Sequence, residues 1–294
     1  MLKKSILLEN KASISTKNLQ LVIKSETRES TIPIEDIGFI VIDNPEIYLS
    51  IPAMNLLIEN NTSVIICNTN HLPNGMFLNL NSHHIQQEIF KNQINASVPL
   101  KKQLWQQTIV EKITNQGILL EKITSKTNNF EFLASKVLSG DSSNMEGVAA
   151  NFYWKTFFEH KFKRERFGDY PNNFLNYGYA ILRAATARAL SGSGLLNTLG
   201  IHHKSKYNAF ALADDIMEPF RPIIDEKVSE IMQNYSEQEL NTAIKAELLQ
   251  ILTRTVYFKD EKSPLMVALQ KTASSLQQCY TGDRKKIKYP KLWN

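Results

Sequence analysis

Hydrophobic positions follow two rhythms along this chain. Up to residue 82, apolar residues alternate with polar ones or form short β-branched runs. Ser5–Leu8, Ala12–Thr16, Leu19–Lys24 and Arg28–Pro33 are such segments, separated by polar or charged breaks, and they predict half-buried strands. Ile37–Ile42 is an unbroken apolar run, the pattern of a strand covered on both faces. Ser50–Asn60 carries Ile51, Met54, Leu57 and Ile58 at helical spacing, with Pro52 in the first turn where proline is tolerated. Ser63–Cys67 reads as another buried strand, and Pro73-Asn74-Gly75 as a turn leading into Met76–Leu80.

From His83 the period lengthens to that of a helix and stays there. Helices are predicted over Ile85–Ala96, Val98–Thr114, Gly117–Ser125, Asn128–Ser139, Asn144–Lys161, Asn173–Ser191, Ala211–Gln233, Glu237–Thr253 and Ser263–Thr281, ahead of a basic tail. The predicted class is α+β, with a β-rich module over 1–82 and a larger helical domain over 83–294. No internal repeat is present.

Composition narrows the functional classes. The chain has 294 residues and 43% hydrophobic content, with 11 Gly and 10 Pro. That excludes a disordered, collagen-like or low-complexity protein and is enough for a large core. Cys67 and Cys279 are the two cysteines, too few for a disulfide framework or a four-cysteine zinc site; a reducing cytoplasm is expected. No apolar stretch reaches the roughly 20 residues that span a bilayer, so no membrane partner is expected. Walker A and Rossmann glycine patterns, a His-Glu-x-x-His helix and a Cys/His cluster are all missing, which speaks against a nucleotide-driven motor, a dehydrogenase and a zinc hydrolase. The formal charge of +5 permits a polyanionic partner.

Three segments carry candidate chemistry. Glu146 lies in the first turn of a predicted helix, where a carboxylate is also favoured by the helix dipole alone. The loop Gly200-Ile201-His202-His203-Lys204-Ser205-Lys206-Tyr207-Asn208 presents adjacent histidines that point in different directions; taken alone it is an ordinary polar loop. Leu212-Ala213-Asp214-Asp215-Ile216-Met217-Glu218-Pro219-Phe220-Arg221-Pro222 sets three acids in an apolar helical stretch. Pro219 breaks that helix and leaves Glu218 beside an irregular turn, while Arg221, three residues on, makes a solvated ion pair the plain alternative. Two carboxylates and one imidazole, if brought together, form a donor set suited to Mg²⁺ or Mn²⁺, and such a site promotes attack of an oxygen nucleophile on a phosphodiester. Basic residues supply the partner signal: Lys161, Lys163, Arg164 and Arg166 follow the Glu146 helix among phenylalanines, Arg183 and Arg188 lie on the next helix, Lys204 is in the histidine loop, and Arg284, Lys285 and Lys286 begin the tail. They match a surface that reads nucleic-acid backbone and shape, and equally a solubilising face.

In order, Asn144-Met145-Glu146-Gly147 with Tyr153-Trp154, Asn173-Phe174-Leu175-Asn176-Tyr177-Gly178-Tyr179, Leu199-Gly200-Ile201-His202-His203 and Met217-Glu218-Pro219-Phe220-Arg221-Pro222 resemble the CRISPR-associated integrases of the spacer-acquisition machinery, most closely the branch accompanying type II systems. The resemblance covers nearly the whole chain. It implies an N-terminal β-sandwich that forms a homodimer, an α-helical catalytic domain, a prokaryotic cytoplasmic setting, and a small second adaptation protein bridging two dimers into a hexamer-like complex, with the type II effector nuclease as a further partner. It also implies that Glu146, His203 and Glu218 hold the metal; His203 is chosen over His202 because it directly precedes Lys204-Ser205-Lys206. Asp214 or Asp215 either joins the ligands or orients His203, and Asn208 and Arg221 support the same set. The implied reaction is insertion of short duplexes into a CRISPR array by attack of a 3′-hydroxyl on a phosphodiester. The alternatives are a nuclease acting on branched DNA with the same residues, and a DNA-binding scaffold without catalysis.

Overall fold

The structure is a computed structural model and describes residues 3–158, 162–165, 168–259 and 261–294. Strands β1 (Lys4–Leu8), β2 (Ala12–Lys17), β3 (Gln20–Lys24), β4 (Glu29–Pro33), β5 (Ile37–Ile42) and β6 (Ile47–Leu49) come first, then helix α1 (Ile51–Glu59), β7 (Ser63–Cys67) and β8 (Pro73–Phe77). They build two four-stranded sheets ordered β1-β5-β7-β8 and β4-β3-β2-β6. Ile14 and Leu21 of one sheet pack against Ile37, Ile40, Ile42 and Val64 of the other, with Ala53 and Leu57 of α1 joining them. The alternating pattern predicts the strands, and their arrangement is the sandwich the resemblance implies.

All six residues of β5 are buried, as its unbroken apolar run requires. Phe39 and Val41 turn to the opposite face from Ile40 and Ile42 and share a core with the helices that follow. One sheet is therefore covered by the other sheet on one side and by helices on the other. Lys245, from the helix Thr242–Leu249, adds a buried tie: its Nζ lies 2.9 Å from Glu9 and 2.6 Å from Asp43, at the ends of β1 and β5.

The helical part comprises α2 (Gln86–Ile94), α3 (Val98–Thr124), α4 (Phe130–Ser135), α5 (Met145–Phe157), α6 (Asn172–Gly192), α7 (Ala211–Met217), α8 (Arg221–Asn234), α9 (Thr242–Leu249) and α10 (Leu265–Thr281). Several expectations change. The two helices expected over 98–125 are one 27-residue helix, with Ser97 capping its start. Gly117 does not break it; a side chain there would collide with Phe130 Cβ at 2.5 Å, so this glycine lets α4 pack against α3. The turn expected at Pro73 lies earlier: Asn68 Oδ1 accepts from the amides of Asn70 and Leu72, and Pro73 opens β8, a position where its missing N–H costs little. The helical region also contains a hairpin, β9 (Thr255–Phe258) with β10 (Glu261–Pro264), paired antiparallel. Thr255-Val256-Tyr257-Phe258 is a β-branched and aromatic run in the gap between the helices expected over Glu237–Thr253 and Ser263–Thr281, and Ser263-Pro264, expected to open the second of these, end β10 instead.

Candidate functional site

Glu146, Lys112, Glu218 and Arg221 meet where α3, α5 and the start of α8 converge. Asn144, in the left-handed region at φ 53°, caps α5 by accepting from the Gly147 amide. Asp141 accepts from the amides of Met145 and Glu146 at 2.8 and 3.0 Å, fixing the first turn and hence the Glu146 side chain. Glu218 begins a single 3₁₀ turn, Glu218–Phe220, between α7 and α8. Pro219 removes the amide that would continue α7, as its position in the sequence predicts. Asn115 of α3 donates to the Pro219 carbonyl at 2.9 Å and anchors that turn.

Lys112 Nζ sits between the two glutamates, 2.6 Å from Glu146 Oε1 and 2.6 Å from Glu218 Oε2. Arg221 Nη2 lies 2.9 Å from Glu218 Oε1. The Glu218–Arg221 pair anticipated as a surface contact is thus buried, with Glu218 only 6% exposed. Burial raises the pKa of Glu218, but Arg221 and Lys112 outweigh it and hold the carboxyl below its ordinary value. Burial pulls Lys112 down; Glu218 and Glu146 outweigh that and raise it. Both groups are charged at neutral pH.

The histidine loop reaches the centre from another direction. Asp215, fully buried on α7, accepts from the amides of Ile201, His202 and His203 at 2.6, 2.9 and 3.2 Å, and its Oδ1 lies 2.5 Å from His203 Nδ1. That bond fixes the ring and turns Nε2 away from the carboxylate. The hydrogen bond to Asp215 raises the His203 pKa, opposed by burial and assisted by the nearby charge of Glu218. His202 points elsewhere, stacked on Trp105 with centroids 4.3 Å apart. Asp214 does not touch His203: it pairs with Arg183 Nε at 2.6 Å and accepts from Asn208 Nδ2 at 2.8 Å.

Two carboxylates and a carboxylate-held imidazole are donors suited to a hard or intermediate divalent ion. Glu218 Oε2 is buried and makes no aligned hydrogen bond, which leaves a lone pair available. Among the described residues, however, no three His, Cys, Asp or Glu side chains already enclose a metal-sized space. The cation between Glu146 and Glu218 is the Lys112 ammonium, so a divalent ion bound there must displace it.

The basic residues fare differently. Lys204, Lys285 and Lys286 are exposed. Lys163 pairs with Glu165 at 2.8 Å, and Arg284 bonds the Lys286 carbonyl. Arg164 donates to Asn172 and Asn176 and lies over the Tyr179 ring, a structural anchor. Arg183 is engaged by Asp214 and Arg188 by the Asn61 carbonyl. Lys161 and Arg166 lie outside the described residues.

Sequence reasoning missed Lys112 and Asp141. Lys112 lies three positions beyond Ile109 and one before Ile113, inside the apolar stripe of α3, and a lysine in such a stripe was the available signal. Asp141, five residues before Glu146 in a polar loop, gave no signal.

The fold matches that of a casposase bound to its integration product over 97% of this chain and 92% of that one, with TM-score 0.80 and 21% identity. It also matches the chain of a Cas6-RT-Cas1–Cas2 complex, covering 99% of this chain and 36% of that longer one, with TM-score 0.75 and 20% identity. These likenesses show a shared fold. Residues 6–255 match the family model described as CRISPR associated protein Cas1. A CRISPR-associated endonuclease Cas1 from Neisseria meningitidis is 36% identical over 98% of this chain and 96% of its own length. The chain belongs to the Cas1 family.

Among the described residues no helix is long and apolar enough to cross a membrane.

Proposed function

We propose that this protein is a divalent-metal-dependent DNA integrase and endonuclease of CRISPR adaptation, which joins the 3′ end of a short duplex to a phosphodiester at a repeat boundary. The observation that carries the reading is the convergence of the Glu146 and Glu218 carboxylates on one cation, each at 2.6 Å, beside a histidine oriented by a buried aspartate. Family membership and the endonuclease name of the Neisseria relative support it.

Glu146, His203 Nε2 and Glu218 would hold Mg²⁺ or Mn²⁺, which supplies charge neutralisation at the reacting phosphate. Asp215 keeps His203 in the tautomer that leaves Nε2 free, and Arg221 holds one oxygen of Glu218 so that the other faces inward. Lys112, once released, carries a positive charge beside developing negative charge on the phosphate. The incoming 3′-oxygen forms a P–O bond as the existing one to the departing 3′-oxygen breaks. The number of phosphate esters is conserved and no nucleotide hydrolysis is needed.

In this reading residues 1–82 form the dimerisation module and 83–294 the catalytic one. DNA passes over Lys204 and the basic tail, and a small second adaptation protein bridges two dimers. A Cas1–Cas2 assembly of the same fold supports such a partner. The test is an integration assay on a supercoiled plasmid bearing a CRISPR array, with Mn²⁺ and the partner protein. Joined products are expected from the wild type and none from Glu146→Gln or Glu218→Gln. Cutting without joining would favour a nuclease, and undiminished joining by His203→Ala would remove that residue from the site.

A further inference from the structure

A second cationic site lies on the other side of α6. Arg183 and Arg188 are five residues apart on this helix, which separates them by about 140° around its axis and roughly 7.5 Å along it. Arg183 faces Asp214. Arg188 instead faces the sandwich, where its Nε donates to the carbonyl of Asn61 just beyond α1. A cavity of about 370 Å³ opens there, between the sandwich and α6 and α10.

Its polar wall carries Arg188, Lys3, Asn61 and Gln270; Met266 and Val267 form the apolar wall. Among the described residues no carboxylate pairs with Arg188, and its Nη groups make no protein hydrogen bond. Burial lowers its pKa with no counter-charge to oppose it. Lys3 donates to the Asn60 carbonyl at 3.2 Å and is held below its ordinary pKa first by burial and then by Arg188 itself. Only the carboxylates of Asp36 and Glu35, acting through space, oppose these effects on Lys3. Two neighbouring cations, one a partly buried guanidinium with free donors, repel each other unless an anion lies between them.

The cavity is kept open locally. A side chain at Gly192 would meet Asn61 Nδ2 at 2.9 Å and Gln270 Oε1 at 3.2 Å. Gln270 Nε2 is fixed by donating to Ser193 Oγ at 2.9 Å.

We propose that this cavity is a nucleotide phosphate site. The Arg188 fork and Lys3 take the phosphate, Asn61 and Gln270 supply amides for base or sugar polar groups, and Met266 with Val267 cover a ring face. Arg188 matches a phosphate bidentately, and the volume suits a mononucleotide. The nucleotide comes either free or as the terminal residue of a DNA strand. Bound there, it bridges the sandwich to α6 and α10.

The test is isothermal titration and thermal unfolding of the full chain in chelator, so that the metal centre plays no part. The probes are inorganic phosphate, AMP and a single-stranded oligonucleotide with a 5′-phosphate. Saturable binding at one site per chain is expected, with a raised melting temperature. Arg188→Gln and the cavity-filling Val267→Trp are each expected to weaken it by about tenfold or more, the loss of one charge-assisted hydrogen bond or of the space itself. Should Arg188→Gln fail to fold, Val267→Trp, at a partly exposed position, carries the test. AMP binding identifies a free nucleotide as the source, and oligonucleotide binding alone identifies a strand end; both support the site. Absence of saturable binding by all three probes, or equal affinity in wild type and Val267→Trp, overturns it.

Discussion

Lys112→Met separates the two tasks assigned to the lysine. Methionine keeps the unbranched stem and its packing in α3 but removes the charge between two glutamates. Lys112 is 10% exposed and Glu218 6%, so the lost pair is buried, and Glu146 and Glu218 are left facing each other with Arg221 as the remaining cation near Glu218. Breaking a buried pair by removing one partner costs about 3–5 kcal/mol. With an unfolding entropy of about 2.1 cal/mol/K per residue over 294 residues, that corresponds to a fall of roughly 5–8 °C in melting temperature. The assay is thermal unfolding at pH 7.5 in chelator and again in Mn²⁺.

Mn²⁺ is expected to raise the melting temperature of Lys112→Met more than that of the wild type, because the ion no longer competes with an ammonium. The pH dependence has a defined sign. Glu218 has a folded pKa below its unfolded value, so it contributes stability above about pH 4.5 that disappears as pH falls through the folded value. In Lys112→Met that acid-sensitive contribution shrinks. A variant that melts within about 1 °C of wild type in chelator, where the full shift is several degrees, would refute the idea that the ammonium holds the carboxylates together.

Gly200→Ala would place a methyl 2.6 Å from the His203 carbonyl and 2.8 Å from Asp215 Oδ2; strand joining is expected to fall at least about tenfold through the displaced histidine, as for losses at ligand-orienting positions. Asp215→Asn removes the main cause of the raised His203 pKa, so an NMR titration of the imidazole should give a lower value than in wild type; an unchanged value would contradict the hydrogen bond. Asp225, buried and pushed up to about 6 by desolvation against the lowering effect of the Tyr179 and Tyr153 hydroxyls, has a folded pKa above its unfolded one. Its stabilising contribution is therefore complete below about pH 4 and is lost as pH rises through 6, and Asp225→Asn should flatten the stability profile across that window in denaturant titrations.

The periodicities were sufficient for the strands-then-helices order, because each strand or helix buries a face its own sequence repeats. β5 shows this most clearly, since a run apolar on both sides has to be covered on both sides. The kink at Glu218 was legible too, because Pro219 lacks an amide wherever it is placed. The hairpin at Thr255–Pro264 was not, because four-residue strands are too short to set one period against another. The length of α3 was misread because a glycine in a helix looks the same whether it ends the helix or admits a neighbour; only Phe130, packed against Gly117, distinguishes the two.

The site divides along the same line. Residue order and the resemblance it carries put forward Glu146, His203 and Glu218 as one donor set, and the fold brings Glu146 and Glu218 to the same lysine. Which aspartate serves the histidine was not in the sequence, since Asp214 and Asp215 are adjacent and chemically alike. Their side chains leave the helix about 100° apart; the folded loop delivers three amides and His203 Nδ1 to one of them, while α6 brings Arg183 and the loop brings Asn208 to the other. Lys112 was likewise decided only by tertiary structure: it lies 34 residues from Glu146 along the chain, and a buried charge takes its meaning from whichever opposite charges the fold brings within reach.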